Sequence, residues 1–273
     1  MKQRIHIQRE QYMREKNTSG RILRAAIAAV TLAGAAGLSQ GATLYWDGDA
    51  TGAVGNPPTT GVGGLTGNWD ASSNWWNGTS YQAWTGTGGQ DIATFTGTAG
   101  TVTVNSTVNA NQINISTTGY QITGGTINLT GARTFSVFNS TVFATVASQI
   151  TGSGGLTKTG SGVLTLTNSG NTYSGGTTIS LNYLLVTSDG ALGYLPTSPS
   201  TNITMANGAF FGLQTSGGSV AIDANRTILI NGNVMFTTGS ASGQVGQTLT
   251  LNGKITGPGG NAISLSRNIL HLL

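Results

Sequence analysis

Apolar and polar residues alternate along most of the chain in short runs. Val, Leu, Ile or Met takes every second position, and Thr, Asn, Gln or Ser takes the positions between them. Because successive side chains of a strand point to opposite faces, each run predicts a β-strand with one apolar face. The clearest runs are residues 101–105, 112–116, 126–130, 163–167, 202–205 and 248–252. No stretch beyond residue 42 shows a helical apolar period over ten or more residues, so we predict an all-β body.

Glycine clusters separate the runs, and glycine supplies the positive φ that tight turns need. Short strands at this spacing fit a sandwich, a closed sheet or a solenoid. The polar faces carry Thr and Asn rather than charge, which suits stacking of like side chains. The motif at residues 149–155 also recurs at 254–260, and recurrence is typical of repeat architectures. We therefore predict a right-handed parallel β-helix, or β-solenoid, over residues 99–260, with about 20–25 residues per turn.

The first 41 residues have the pattern of a signal peptide. Residues 1–24 are basic, residues 25–38 are uncharged and mostly apolar, and small residues follow at 39–42. The apolar run is shorter than the roughly 20 residues that span a bilayer as a helix. A buried helix and an inner-membrane anchor are the alternatives. We predict export by a translocation machinery, cleavage after Gly41, no stable membrane span in the mature chain, and a secreted or cell-surface location.

Charge is scarce once this leader is set aside. Seven of the 12 Lys and Arg residues lie in the first 24 positions, and the rest of the chain carries five positive and six negative side chains. Nucleic-acid binding needs clustered basic residues, so we exclude it. Arg133, Lys158, Arg226 and Lys254 are scattered singly, and we expect them to be solvated surface residues. With no cysteine, the chain has no disulfide and no thiolate metal site.

All five tryptophans lie in residues 42–98, and Trp46 is the first of them. We predict that this region is an aromatic-rich cap over the first turn of the solenoid, because solenoid ends must be covered. The alternative is a glycan-binding surface, since aromatic faces stack on sugars. Its candidate residues are Trp69, Trp75, Trp76 and Trp84, and the partner would be a cell-surface or extracellular glycan or protein.

Catalytic side chains are missing between residues 42 and 260, which contain no His, Glu or Cys. This removes Ser-His-Asp catalysis and the usual zinc sites. Asp47, Asp49, Asp70 and Asp91 suit either calcium or turn capping, and we favour capping. We predict no catalytic residue, no metal and no cofactor, and hence no enzyme. A polysaccharide-active β-helix enzyme, which would cluster Asp with Lys or Arg on one face, is the weaker alternative.

One segment carries a specific motif. Residues 155–167 read Gly-Leu-Thr-Lys-Thr-Gly-Ser-Gly-Val-Leu-Thr-Leu-Thr, and residues 171–179 read Asn-Thr-Tyr-Ser-Gly-Gly-Thr-Thr-Ile. Together with Gly-Ala-Leu-Gly at 190–193, this resembles the autotransporter-associated β-strand repeat, also called the passenger-associated transport repeat. The resemblance covers residues 155–193, with Ser-Leu-Asn-Tyr at 180–183 where the family usually has an Asn/Ala-Gly turn.

The resemblance implies an exported passenger β-helix of a Gram-negative bacterium. In that family the repeat aids secretion and folding, and surface adhesion is the expected activity. A second repeat begins near residue 255 but does not continue, since residues 261–273 change in composition. We expect these last residues to be an atypical tail of a truncated product.

Overall fold

The computed structural model describes residues 41–48, 64–70, 73–86, 89–214, 218–238, 247–266 and 270–272. All of them belong to one of the two compact units of the chain, Gly41–Leu273. The predicted signal peptide therefore lies outside the described residues, apart from Gly41. No helix in the described part of the chain is both long enough and apolar enough to cross a membrane.

Strands make up nearly all of the regular structure, with a 3-10 turn at Asp189–Leu192. In chain order the strands are β1 Thr43–Trp46, β2 Gly67–Asn68, β3 Trp75–Trp76, β4 Tyr81–Gln82, β5 Ile92–Phe95, β6 Thr101–Asn109, β7 Gln112–Ile115, β8 Gln121–Asn128, β9 Arg133–Val137, β10 Phe143–Val146, β11 Gln149–Thr151, β12 Leu156–Thr159, β13 Val163–Leu166, β14 Thr177–Ile179, β15 Asn182–Val186, β16 Ser200–Ala206, β17 Ala209–Leu213, β18 Ser219–Ile222, β19 Arg226–Asn231, β20 Val234–Thr237, β21 Thr248–Leu251, β22 Ile255–Thr256, β23 Ile263–Ser266 and β24 Leu270–Leu272.

From β5 onward most successive strands alternate between two long sheets, and β11 joins the second sheet beside β8. The first has the order β22-β19-β16-β14-β12-β9-β7-β5-β1-β3-β4, and the second β2-β6-β8-β10-β13-β15-β17-β20-β23. A third sheet, β18-β21-β24, joins them in the last part of the chain. Pairing is parallel from one turn to the next: Ile92 faces Gln112, and Ile228 faces Ile255. A turn thus takes 20 residues near the start and 27 near the end. The predicted parallel β-solenoid is confirmed.

Apolar ladders fill the interior, as the alternating pattern predicts. In the second sheet Ala144, Leu164, Leu184, Phe211 and Phe236 face one another across successive strands, and all are buried. Each turn alone would leave such side chains in water, so stacking of turns is what buries them.

An antiparallel hairpin, β3–β4, closes the start of the first sheet by pairing with β1. Its Trp75 packs against Trp46 and Trp69, with ring centroids 5.2 and 5.1 Å apart, and all three side chains are fully buried. These rings and Phe95 form one buried aromatic cluster at the place where the N-terminal cap is predicted.

Residues of the expected atypical tail continue the ladders. Strand β23 pairs in parallel with β20, and β24 pairs in parallel with β21. Leu265 follows Phe236 in the inward ladder, yet 58% of it is exposed.

Candidate functional site

The lysine of the repeat motif is buried, which corrects the expectation that Lys158 is a solvated surface residue. It stands in an inward ladder of the first sheet, between Phe135 and Ile179. Its Nζ donates to the carbonyl oxygens of Gly160 and Gly162, both at 2.6 Å, and of Leu181 at 2.8 Å. Three protons of an ammonium meet three acceptors. The side chain thereby joins the corner of its own turn to the corner of the next.

Burial lowers the pKa of Lys158 to about 7, because the interior disfavours the charged form. The two glycines of the motif are needed for the same corner. Gly160 has a φ of 74°, and a Cβ on Gly162 would overlap the side chain of Val137. The Lys-x-Gly-x-Gly spacing therefore serves the geometry of this corner.

The second half of the motif also connects turns. Asn171 Oδ1 accepts from the amide of Ile150 in the preceding turn at 2.7 Å, and its Nδ2 donates to the carbonyl of Ala191 in the next turn at 2.8 Å. The hydroxyl groups of Tyr173 and Thr177 lie 2.7 Å apart in the core. These residues connect neighbouring turns of the solenoid, and their polar groups do not face solvent.

The unusual turn at residues 180–183 has a physical explanation. Asn182 has a φ of 55°, in the left-handed region that glycine most often occupies. Asparagine tolerates this region better than other side chains do. Its amide nitrogen also donates to the carbonyl of Ser161 in the preceding turn. Asn182 thus replaces the glycine of the family's usual turn.

Arg226 was likewise expected at the surface, and it is fully buried. Its Nε donates to Asp189 Oδ1 at 2.9 Å, and its Nη1 donates to Asn202 Oδ1 at 2.5 Å. The guanidinium also donates to backbone carbonyls of the 3-10 turn and of the residues after it, including Gly193 at 2.8 Å. The expectation failed because Arg226 is satisfied by groups more than 20 positions away in the chain. The other two cations differ from it: Arg133 is half-buried and Lys254 is exposed.

The four candidate glycan-stacking tryptophans divide into two groups. Trp69, Trp75 and Trp84 are buried among one another and Phe95, so none presents an open ring face. Trp76 is half-buried and packs on Tyr81 across the hairpin, with ring centroids 5.1 Å apart. Of the four, Trp76 alone combines exposed surface with an aromatic neighbour, beside the amides of Asn77 and Gln82.

An apolar stripe that sequence reasoning missed runs along the outer face of the second sheet. It consists of Phe143, Tyr183, Phe210 and Met235, with Val163, which is buried at 4% exposure, standing between Phe143 and Tyr183. These residues lie in line across β10, β13, β15, β17 and β20. Phe143 is 47% exposed, and the Tyr183 and Phe210 rings lie 4.7 Å apart. The sequence contains a pattern that predicts this stripe. In β15 and β17 apolar residues are consecutive, so both faces of each strand are apolar.

The described aspartates among the four calcium candidates accept hydrogen bonds from groups within the protein. Asp47 accepts from the hydroxyl of Tyr81 at 2.5 Å, Asp70 from the amide of Asn105 and Asp91 from the amide of Ala42. Asp49 lies outside the described residues. Among the residues described, no three His, Cys, Asp or Glu side chains come together as metal ligands.

Comparison with known proteins agrees with the motif. The passenger-associated-transport-repeat family matches residues 156–180. The adhesin BmaC autotransporter of Brucella suis biovar 1 (strain 1330) is 34% identical over 218 residues, which is 78% of this chain and 6% of that protein. The chain thus spans a small part of this relative's length. No solved structure matches. With its parallel solenoid and its repeat, the chain is an autotransporter passenger-repeat protein.

Proposed function

We propose that the chain is an exported passenger segment whose solenoid acts as an adhesive surface, and that its repeat aids secretion and folding. The observation that carries the proposal is the likeness to an autotransporter adhesin across most of the solenoid. The leader pattern of residues 1–41 supports export.

The buried side chains of the repeat support a folding role. Lys158 and Asn171 each bond to neighbouring turns, so each fixes the register in which one turn adds to the previous one. Register matters in a solenoid because a slip of one residue would exchange the inward and outward faces.

The apolar stripe is the surface that best suits adhesion to a protein. Contiguous apolar patches larger than roughly a few hundred Å² are rare on monomeric proteins and mark interaction sites. Aromatic residues and Met are enriched at protein interfaces, and the stripe holds both. Its partner is therefore proposed to be a protein of the target cell surface.

Adhesion can be tested with the exported protein coupled to beads and applied to cultured cells. We expect coated beads to bind, and the triple variant Phe143→Ser, Tyr183→Ser, Phe210→Ser to retain less than about a tenth of the binding, as loss of central aromatic anchors does. The matched control is Tyr194→Ser with Leu195→Ser, which removes exposed apolar side chains outside the stripe. Equal binding by both variants would refute the role of the stripe.

Glycan binding is the second candidate, favoured by the half-buried Trp76–Tyr81 pair with amides beside it. A glycan array distinguishes it from protein adhesion. We expect specific glycan signals to disappear in Trp76→Ala and to survive in the stripe variant. The absence of signal from every glycan on the array would remove this candidate.

A further inference from the structure

A nearly buried carboxylate faces the backbone nitrogen of Ala42. Asp91 is 8% exposed, and its Oδ1 accepts from the Ala42 nitrogen at 3.1 Å. Its Oδ2 accepts from Thr85 Oγ1, also at 3.1 Å. The Ala42 carbonyl accepts from the amide of Ile92 at 2.9 Å, so Ala42 is held on both sides by consecutive residues of the next turn.

Ala42 is also the residue that cleavage after Gly41 would place first. Hydrolysis of the Gly41–Ala42 peptide bond adds one water molecule across it. Gly41 leaves with the new carboxylate, and the Ala42 nitrogen takes up protons to become an α-ammonium. An uncharged single donor in front of Asp91 is thereby replaced by a cation with three donors.

The geometry points to Asp91 as the receptor for the α-ammonium of processed Ala42, so that removal of the leader completes an ion pair that locks the first strand onto the solenoid. The inference rests on the export part of the proposed function. Hydrogen bonds between charged partners are about twice as strong as neutral ones, so the contact strengthens on cleavage.

The side chains around Asp91 do not already supply a cation to pair with it. Within the described ranges the ion pair present is that of Arg226 with Asp189, and Asp91 has no cationic side chain at that distance. Arg133, from a later turn, is directed to Asn111 Oδ1 at 2.6 Å and Thr130 Oγ1 at 2.7 Å. Gly41 itself is crowded, since a Cβ on it would overlap the carbonyl of Gln90.

The pair predicts a pH dependence with a definite sign. An α-amino group has a pKa of about 8 in an unfolded chain. Pairing with a carboxylate raises the folded pKa above that value. The added stability is therefore complete below about pH 8 and is lost as the pH rises through the folded pKa. Burial lowers the pKa of Lys158 to about 7, so this side chain also titrates in the range, but it does so equally in the variants compared below.

The test uses the full chain, exported from a Gram-negative host and purified after processing. Intact mass spectrometry first reads the mature start, which we expect to be Ala42. A variant with one glycine inserted after Gly41 then matures with Gly before Ala42, which makes the Ala42 nitrogen an ordinary amide. At pH 7 we expect the thermal midpoint of the parent to exceed that of the insertion variant by about 2–4 °C, with the difference disappearing near pH 10.

Asp91→Asn provides the second arm. In the Asp91→Asn variant, the inserted glycine should leave the thermal midpoint unchanged at every pH. Equal midpoints of parent and insertion variant, with Asp91 present, would overturn the ion pair. A mature start other than Ala42 would overturn it too while leaving export intact, whereas an exported but uncut chain would refute both the pair and the signal-peptide assignment.

Discussion

A single ammonium group inside a ladder of apolar side chains is unusual, because burying an unpaired charge is costly. Lys158 is accommodated because three backbone carbonyls take the place of water around Nζ. None of these acceptors is a carboxylate, so the charge is solvated rather than neutralised. The same residue therefore stabilises a corner and remains able to lose its proton.

Replacing Lys158 by Met removes the donors but keeps the volume. At pH 6 we expect the free energy of unfolding to fall by about 1–3 kcal/mol, because three buried carbonyls lose a partner. The folded pKa of about 7 lies below the unfolded value near 10.4. Between these two pH values Lys158 is protonated in the unfolded chain but neutral in the folded chain. The free energy of unfolding of the parent therefore increases as the pH rises, by up to about 1.4 kcal/mol per pH unit.

Denaturant titrations of parent and Lys158→Met at pH 6, 8 and 10 measure this widening difference. Lys254→Met is the matched control, since Lys254 is exposed, and it should stay within about 0.5 kcal/mol of the parent. A Lys158→Met protein that is as stable as the parent at all three pH values would contradict the role of Lys158 in joining the corners of two turns.

At the scale of elements, the hairpin β3–β4 divides its two consecutive tryptophans between two environments. Trp75 faces the core, where Trp46, Trp69 and Trp84 surround it, while Trp76 faces outward beside Tyr81. The period of two in a strand accounts for this division. The hairpin thus closes the interior with one face and offers an aromatic surface with the other.

Substituting the two tryptophans separately tests that division. Trp75→Ala should lower the free energy of unfolding by about 3–5 kcal/mol, because it leaves a cavity inside the aromatic cluster. Trp76→Ala, the neighbouring control, should cost about 1 kcal/mol or less. Thermal unfolding followed by tryptophan fluorescence and circular dichroism gives both values; similar losses in the two variants would show that the hairpin does not cap the core.

Neighbouring turns come very close at a corner where glycines stack. A Cβ on Gly154 would overlap the backbone of Gly131 in the preceding turn, and a Cβ on Gly175 would overlap Gly154. A Cβ on Gly131 would meet only the end of Arg133, at 4.0 Å. Gly154 therefore has no room for a side chain, whereas Gly131, in the same column of stacked turns, has room for one.

We expect Gly154→Ala to destabilise the protein by about 1–3 kcal/mol, since two backbones must move apart to admit a methyl group. Gly131→Ala should remain within about 0.5 kcal/mol of the parent. Urea unfolding of the two variants makes the comparison, and a neutral Gly154→Ala would mean that the turns are not in contact at this corner.

For the molecule as a whole, local patterning was sufficient to predict the strands and their stacking, because alternation is a property of neighbouring residues. The buried cations were not predictable in this way. The carbonyl of Leu181 that binds Lys158 and the carboxylate that binds Arg226 lie 23 and 37 residues away in the chain. Sequence alone favours the surface for such residues. Trp75 and Trp76, by contrast, could have been assigned to opposite faces from the strand period.

The growth in turn size, from 20 residues near the start to 27 near the end, has an evolutionary consequence. Each turn touches chiefly the turn before it and the turn after it, so a gene can duplicate or lose a whole turn, or enlarge one, while the distant cap stays unchanged. Each duplicated turn would lengthen the molecule by about 4.8 Å. The length of the solenoid could thus change by genetic increments of some 60–80 nucleotides, the coding length of one 20–27-residue turn.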